Sequence, residues 1–584
     1  MSQPRNALRS PNASNLLELT TEEKLQRFRT TMANTSKKRP DACPVCEEVM
    51  WVSFFFDGTG QNVALDMPKR KPSNPAKLFL IANGNDHLQA DPSGAALSAF
   101  KDLRSSFRND KGQYAFYFSG VGTPFNEDVK SGEPAKPAKS KILTDAARVI
   151  TRTNPGASLA LGISEAAVKA AQKAWKDNED STIMGAGMGA GADKRMDDAF
   201  KLLTDVLKDQ QKRKTLRISI FGFSRGAAIA RMFANRIDQK IKAGAFGKKT
   251  VSIEFMGLFD TVASFGLPAL HLKADDLVIP TSVKKCVHMV AVHEFRIAFP
   301  VWTIRTAPGY DSNGYEEYVY PGVHTDVGGG YGPKGFGSVE DHHWVSNNIS
   351  VIPLRHMYTK AIAAGVPLAS IEEVLETPVY KNLFAATTTE GQVDTLVLKA
   401  YNNYVNKIQA SGALERHMVE HHRVLCRWWG WRHKVGIGYV EPLLKPHQQT
   451  VDAAQRERNQ AHLIGVSAQA QRQERLIRQQ QDYQLKLAKT RFEAQKSGMA
   501  YTTNLIREEG DELKDRDDNL FMHKLDHDEL TRFRAYQAAD PAEDAKTLLD
   551  DYLHDSVQWF SEENATKYVV YRYFRVRGVH DGEW

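Results

Sequence analysis

The stretch TLRISIFGFSRGAAIARMF, residues 215–233, decides how this chain folds. An apolar run, TLRISIF, stops at Gly222-Phe223-Ser224-Arg225-Gly226, and an alanine-rich run follows at once. A G-x-S-x-G by itself carries little weight, because 40 glycines in 584 residues produce that spacing by chance. Its setting carries more. Beyond Ser224, the residues Ile229, Met232, Phe233, Ile237 and Ile241 recur on one face at helical spacing. A strand, a tight turn and an amphipathic helix therefore meet at Ser224.

Such a turn is the nucleophile elbow of an α/β-hydrolase, where the flanking positions must be small because the backbone is strained and the helix passes close by. Gly222 and Gly226 meet that requirement. The turn also sets the Arg225 amide at a helix N-terminus, where it can donate to an oxyanion. The alternative is a structural serine in a βα turn of a sheet protein without catalysis.

Outward from the elbow, EEVMWVSFFFDGTGQN reads as a buried strand, Val49–Phe56, ending in D-G-T-G turn chemistry. YAFYF at 114–118 runs into SGVGTP, Asp197 to Leu207 has helical spacing, and VSIEFMGLFDT at 251–261 is the next strand and turn. This alternation predicts an α/β fold, an α/β-hydrolase-like, mostly parallel sheet flanked by helices, with an additional mainly helical region. The expected units are a polar N-terminal arm at 1–45 and a catalytic domain at 46–345 with a flexible insertion at 125–192. A mainly helical lid, anchor or docking region follows at 346–515. The segment 516–584 returns to the catalytic domain, as the strand-like YVVYRYFRVRGV at 568–579 suggests. MGAGMGAGADK at 184–194 lacks the Lys-Ser/Thr of a phosphate loop and reads as a loop feeding a helix.

A serine hydroxyl needs a base, and the base needs an orienting acid, in the chain order Ser, Asp/Glu, His for this fold. Asp260 closes the strand VSIEFMGLF, and an acid at that end of a strand faces the ligand crevice. Its bland reading is an Asx-turn or a helix cap. Of 18 histidines, His324 stands apart in the glycine-dense YPGVHTDVGGGY, with His293 in AVHEFRIAF as runner-up base and Asp326 as runner-up acid. The second oxyanion donor is expected from DGTG, through the amide of Gly58 or Thr59. Asp57 is expected to pin that loop through hydrogen bonds, because a carboxylate aimed at the oxyanion would oppose its charge.

Composition bounds the rest. Hydrophobic content of 42% with 25% charged residues is that of a globular chain. The N-terminus has no apolar core of a Sec-type signal, and no run of about eighteen apolar residues predicts a spanning helix. The expectation is synthesis in the cytoplasm. A net charge of +7 suits an anionic surface, but no nucleic-acid motif is present. Four cysteines exclude a dense disulfide framework. Cys43 and Cys46, in C-P-V-C, are half a zinc site at most, with Cys426, His421 and His422 as the conceivable remainder.

FFFDGTGQN, the GVGT at 120–123, GFSRGA, GLFDTVASFG and YPGVHTDVGGGY occur in an order that resembles the type VI secretion phospholipase effectors of the first lipase-effector family. The resemblance spans roughly residues 47–335, with LHDSVQWF and YRYFRVRG similar to that family's C-terminal return. It implies an antibacterial phospholipase A using no metal or cofactor, with a triad falling on Ser224, Asp260 and His324. It further implies delivery by a secretion spike protein into a rival's periplasm, a phospholipid bilayer as substrate and a cognate immunity protein. Two segments lie apart from these motifs. CRWWGWRHK at 426–434 reads either as membrane contact through Trp428, Trp429 and Trp431 or as an aromatic satellite core. Residues 451–500, without proline and without a strict heptad, read as a long solvated helix.

Overall fold

The computed structural model describes residues 6–13, 49–67, 71–82, 106–108, 112–123, 191–263, 274–294, 296, 299–305, 314–330, 349–376, 378–385, 395–408, 410–435, 452, 455–456, 527–553, 577 and 579–580. Ten strands occur among them: β1 (Leu8–Arg9), β2 (Val49–Phe56), β3 (Ser106–Arg108), β4 (Gln113–Phe118), β5 (Thr215–Phe223), β6 (Thr250–Phe259), β7 (Cys286–Ala291), β8 (Val301–Trp302), β9 (Tyr315–Tyr320) and β10 (Val579–His580). Eight form one sheet in the order β1-β9-β7-β6-β5-β2-β4-β3, and β10 pairs with β8 separately. Every neighbouring pair in the large sheet is parallel except β3 with β4 at one edge. The expected α/β architecture is therefore the observed one.

The central strands are buried on both faces, so they read as continuous apolar runs rather than alternating ones. Alternation survives in which face each side chain serves. Met50, Val52, Phe54 and Phe56 of β2 and Leu216, Ile218 and Ile220 of β5 pack under the helices Ala192–Asp209 and Arg225–Lys242. Trp51 and Phe55 of β2 and Phe221 and Phe223 of β5 face the other way. There Phe55 and Phe221 stack 4.9 Å apart, beneath Asn74–Leu80 and Val351–Ala363. The same cluster continues into the helices Thr395–Lys407, Leu414–Val435 and Glu543–Asp551. Each fully buried aromatic here contributes on the order of 2 kcal/mol through burial.

Two pairings join distant chain segments to this frame. Leu8 and Arg9, inside the expected polar arm, pair with Tyr318 and Val319, and Val579 and His580 pair with Val301 and Trp302. The helix after the alanine- and glycine-rich segment begins at Ala192 behind a left-handed Gly191. Of residues 451–500 only 452, 455 and 456 are described, so the expected solvated helix lies outside the described residues, as do most of 125–192 and 554–576. No helix among the described residues is long and apolar enough to cross a membrane.

Candidate active site

β5 ends at Phe223, Ser224 follows, and the helix Arg225–Lys242 starts immediately. Ser224 holds φ 56 and ψ −127, an arrangement that costs a non-glycine residue on the order of 1–3 kcal/mol. Among the described residues three non-glycines have positive φ, and two are Ser224 and Asp260 (φ 41). The strain is held by backbone hydrogen bonds between the two turns: Ser224 N donates to Phe259 O at 3.0 Å and Val262 N to Ser224 O at 3.3 Å. The flanking glycines are required by space. A Cβ on Gly226 would come within 2.3 Å of Asp57 O, and one on Gly222 within 2.6 Å of Ala227 Cα.

Asp260, next after β6, is fully buried, and its Oδ2 accepts from His324 Nδ1 at 2.5 Å. His324 opens the short helix His324–Gly328 after β9. Its ring lies 4.6 Å from the Phe223 ring and 5.2 Å from that of Phe299. Burial, with help from Arg296, pulls the imidazole below its usual range against the upward pull of Asp260 and Glu294. Burial would raise the Asp260 carboxyl, but the Arg577 guanidinium and the hydrogen bonds from His324 and Arg577 hold it well below the ordinary carboxylate range. The pair is thus an ionised acid hydrogen-bonded to an imidazole held neutral, whose ring packs on Phe223, the residue before the strained Ser224.

The runner-up residues have other work. His293 Nδ1 accepts from Gly322 N at 3.0 Å and its Nε2 meets the Tyr404 hydroxyl at 2.9 Å. Burial lowers its imidazole to about 4. Asp326 Oδ2 accepts from Val323 N at 3.0 Å and caps its own helix.

The D-G-T-G loop abuts the elbow. Asp57 accepts from Gly58 N at 2.7 Å, from Ser73 Oγ at 2.5 Å and from the Tyr117 hydroxyl at 2.5 Å. Burial pushes its carboxyl up to about 6 despite those three donors. One expectation changes as a result. The Gly58 amide is committed to Asp57, so it is not a donor for an oxyanion, and the loop's candidate becomes Thr59. SGVGT zips onto this loop through Gly60 N to Val121 O (3.0 Å) and Gly120 N to Gln61 O (2.8 Å). Arg195 clamps it by donating to the carbonyls of Ser119, Gly120 and Thr123.

Arg225, unremarkable in sequence beyond its amide, is buried close enough to Arg296 that burial and that like charge lower it to about 9. Arg296 in turn donates to both oxygens of Glu294 at 2.8 Å and lies 3.6 Å over the Phe299 ring. Sequence reasoning missed Arg577 altogether. Its Nη1 and Nη2 donate to Asp260 Oδ1 and Oδ2 at 2.7 and 2.9 Å, from 317 residues downstream. Only the strand-like pattern of YRYFRVRGV hinted that this segment reaches the domain.

The membrane-contact expectation for the tryptophans is corrected. Trp428 and Trp429 are 7% and 5% exposed within the helix Leu414–Val435, and Trp431 packs on the same apolar cluster. Side chains used to bury that helix are not available to a bilayer. Cys426 lies 3.7 Å from His422 Nδ1, and Cys43 and Cys46 lie outside the described residues. Among the described residues no group of three or more His, Cys, Asp or Glu is arranged to hold a metal ion.

No curated protein matches this chain. An uncharacterized protein from Pseudomonas aeruginosa with a crystal structure is 22% identical, over 99% of this chain and 85% of that one, with a TM-score of 0.58, a likeness of fold. A structure of the Tle1 effector bound to the VgrG spike from the type 6 secretion system is 20% identical over 50% of this chain and 52% of that one, with a TM-score of 0.26. The family model for the catalytic domain of Tle1-like phospholipase effectors of the type VI secretion system matches residues 52–240 and 238–360, more than half of the chain. The chain belongs to the Tle1-like phospholipase effectors of the type VI secretion system.

Proposed function

We propose that this chain hydrolyses acyl esters of glycerophospholipids by a serine-hydrolase mechanism. His324 takes the proton of Ser224 Oγ, and the serine attacks the ester carbonyl. The amides of Arg225 and Thr59 receive the oxyanion, and Asp260 orients and stabilises the imidazolium. His324 then returns the proton to the leaving oxygen, lysophospholipid departs, and water attacks the acyl-serine with the same base to release fatty acid. The cut is of the phospholipase A type, at one of the two glycerol esters.

The observation that carries this reading is the hydrogen bond from His324 Nδ1 to the buried Asp260, joined through Phe223 to a serine held at φ 56. Membership of a phospholipase effector family selects lipid esters among the substrates such a site accepts. The biological setting that fits is antibacterial. A secretion spike carries the protein out of the producer, it acts peripherally on the membrane from the periplasm of a rival, and a cognate immunity protein shields the producer.

The test is incubation of native protein and Ser224→Ala with defined phosphatidylethanolamine and phosphatidylglycerol vesicles, with products read by mass spectrometry. Lysophospholipid and fatty acid that depend on Ser224 are expected. Ser224-dependent cleavage of soluble esters without lysophospholipid would move the activity to another ester.

A further inference from the structure

We propose that Arg577 is a positioning residue of the catalytic acid: its guanidinium fork, delivered beside β10, fixes the plane in which Asp260 presents Oδ2 to His324 and offsets the carboxylate's charge. The proposal rests on the Ser224–His324–Asp260 reading.

Both oxygens of Asp260 are spoken for. Oδ1 accepts from Arg577 Nη1 at 2.7 Å and from Ala291 N at 2.9 Å, while Oδ2 accepts from Arg577 Nη2 at 2.9 Å and from His324 Nδ1 at 2.5 Å. A carboxylate held in this two-pronged way cannot turn about its Cβ–Cγ bond without breaking two charge-assisted hydrogen bonds. The fork is itself held, with Nε donating to Phe299 O at 2.7 Å and Nη1 to Ala291 O at 2.8 Å. Two residues on, Val579 pairs with Val301, and the neighbouring Trp302 N donates to Thr261 O at 3.0 Å. The strand that receives the C-terminal segment is thus tied to the residue after Asp260.

The charge matters as much as the shape. A cation on the far side of Asp260 weakens the carboxylate's pull on a proton at His324, so the imidazole stays neutral, and available as a base, at lower pH. The other charged groups facing His324 are Glu294, whose Oε2 accepts from His324 N at 3.3 Å, and Arg296, with Arg225 acting on Arg296 from the helix start. Asp326 is engaged at Val323 N and His288 with Glu317, and Glu294, whose carboxyl Arg577 also helps hold down, keeps both hydrogen bonds from Arg296 when Arg577 is replaced.

The experiment follows the His324 ring by NMR of histidine labelled with carbon-13 in the full chain carrying Ser224→Ala, with His324→Gln to assign the signal. It is paired with pH profiles of ester hydrolysis in the Ser224 protein. Arg577→Met is expected to raise the His324 pKa by about one unit, moving the acid limb of kcat/KM upward equally. It should also lower kcat by about 10- to 100-fold while KM changes by less than about 3-fold. Arg577→Lys, with the charge but not the fork, should leave the pKa within about 0.3 unit and restore only part of kcat. An unshifted His324 titration and acid limb in folded Arg577→Met would overturn the proposal and leave Arg577 a structural residue. If Arg577→Met does not fold, Arg577→Gln removes the charge while its amide nitrogen, placed about where Nε stands, can still donate to Phe299 O, with the same expectations. Absence of any ester hydrolysis by native protein would count against the catalytic reading, while the ring titration still decides Arg577.

Discussion

His288 and His324 each donate from Nδ1 to a buried carboxylate, to Glu317 at 2.7 Å and to Asp260 at 2.5 Å. Both rings are buried, and burial lowers both imidazoles against the upward pull of their acids. The difference lies at the other nitrogen. His288 Nε2 accepts from Thr261 N at 3.0 Å and meets Thr261 Oγ1 at 3.1 Å, whereas His324 Nε2 makes no hydrogen bond among the described residues. Glu317 is also saturated locally, by Thr303 Oγ1 at 2.7 Å and Ile304 N at 3.1 Å. A histidine–carboxylate pair is therefore not a catalytic signature. In the proposed mechanism it becomes one because the second ring nitrogen of His324 is left for a proton in transit. The closed pair steadies Thr261, and through it the strained Asp260 of the open pair.

The comparison is broken first at the open pair. His324→Ala should lower ester hydrolysis by about 10⁴-fold or more while shifting the melting temperature by no more than a few degrees. His288→Ala should do the reverse, losing about 3 kcal/mol in urea unfolding because a fully buried ring is replaced by a cavity and Glu317 and Thr261 each lose a buried hydrogen-bond partner. Activity per folded molecule should stay within about tenfold of native. Equal losses of activity per folded molecule from both variants would erase the distinction.

Trp429→Ala should cost about 3 kcal/mol of stability through the cavity it leaves, with binding of the folded variant to anionic vesicles unchanged. Acidification gives the smallest effect per group. His293 and His356 are lowered to about 4 and about 3 from 6.5, so the unfolded chain binds more protons between those limits, and stability must fall as pH drops through 6.5. At pH 5 each such histidine removes about 2 kcal/mol. Asp57, raised to about 6, has the opposite sign, since its contribution is lost as pH rises toward 6 and offsets part of the slope. A melting temperature that rises from pH 7 to 5 would contradict the buried neutral state of these histidines.

The central strands and the elbow were legible in sequence because their causes are local. Val49–Phe56 is a continuous apolar run closed by D-G-T-G, and Gly222 and Gly226 mark a turn whose crowding is set within a few residues. Asp260 could be picked out because it follows directly on a strand of a parallel sheet, where side chains face the crevice, and His324 because it stands in a glycine-dense loop after a short strand-like run. Arg577, β1 and the Glu317–His288 pair were hidden because their partners lie far off in the chain and leave no periodicity. Gly58 misled for a different reason. A glycine near an active site suggests a donor, but the preceding aspartate captures that amide, which only coordinates reveal. The tryptophans of CRWWGWRHK have the composition of a membrane interface and the position of a core.

The most direct measurement is covalent labelling with a fluorophosphonate, with the modified peptide identified by mass spectrometry and the labelling rate compared across variants. A single adduct on Ser224 is predicted, absent in Ser224→Ala, slowed by at least about 10³-fold in His324→Ala and retained in folded His288→Ala. An adduct on another residue, or labelling of Ser224 undiminished by the loss of His324, would contradict the account.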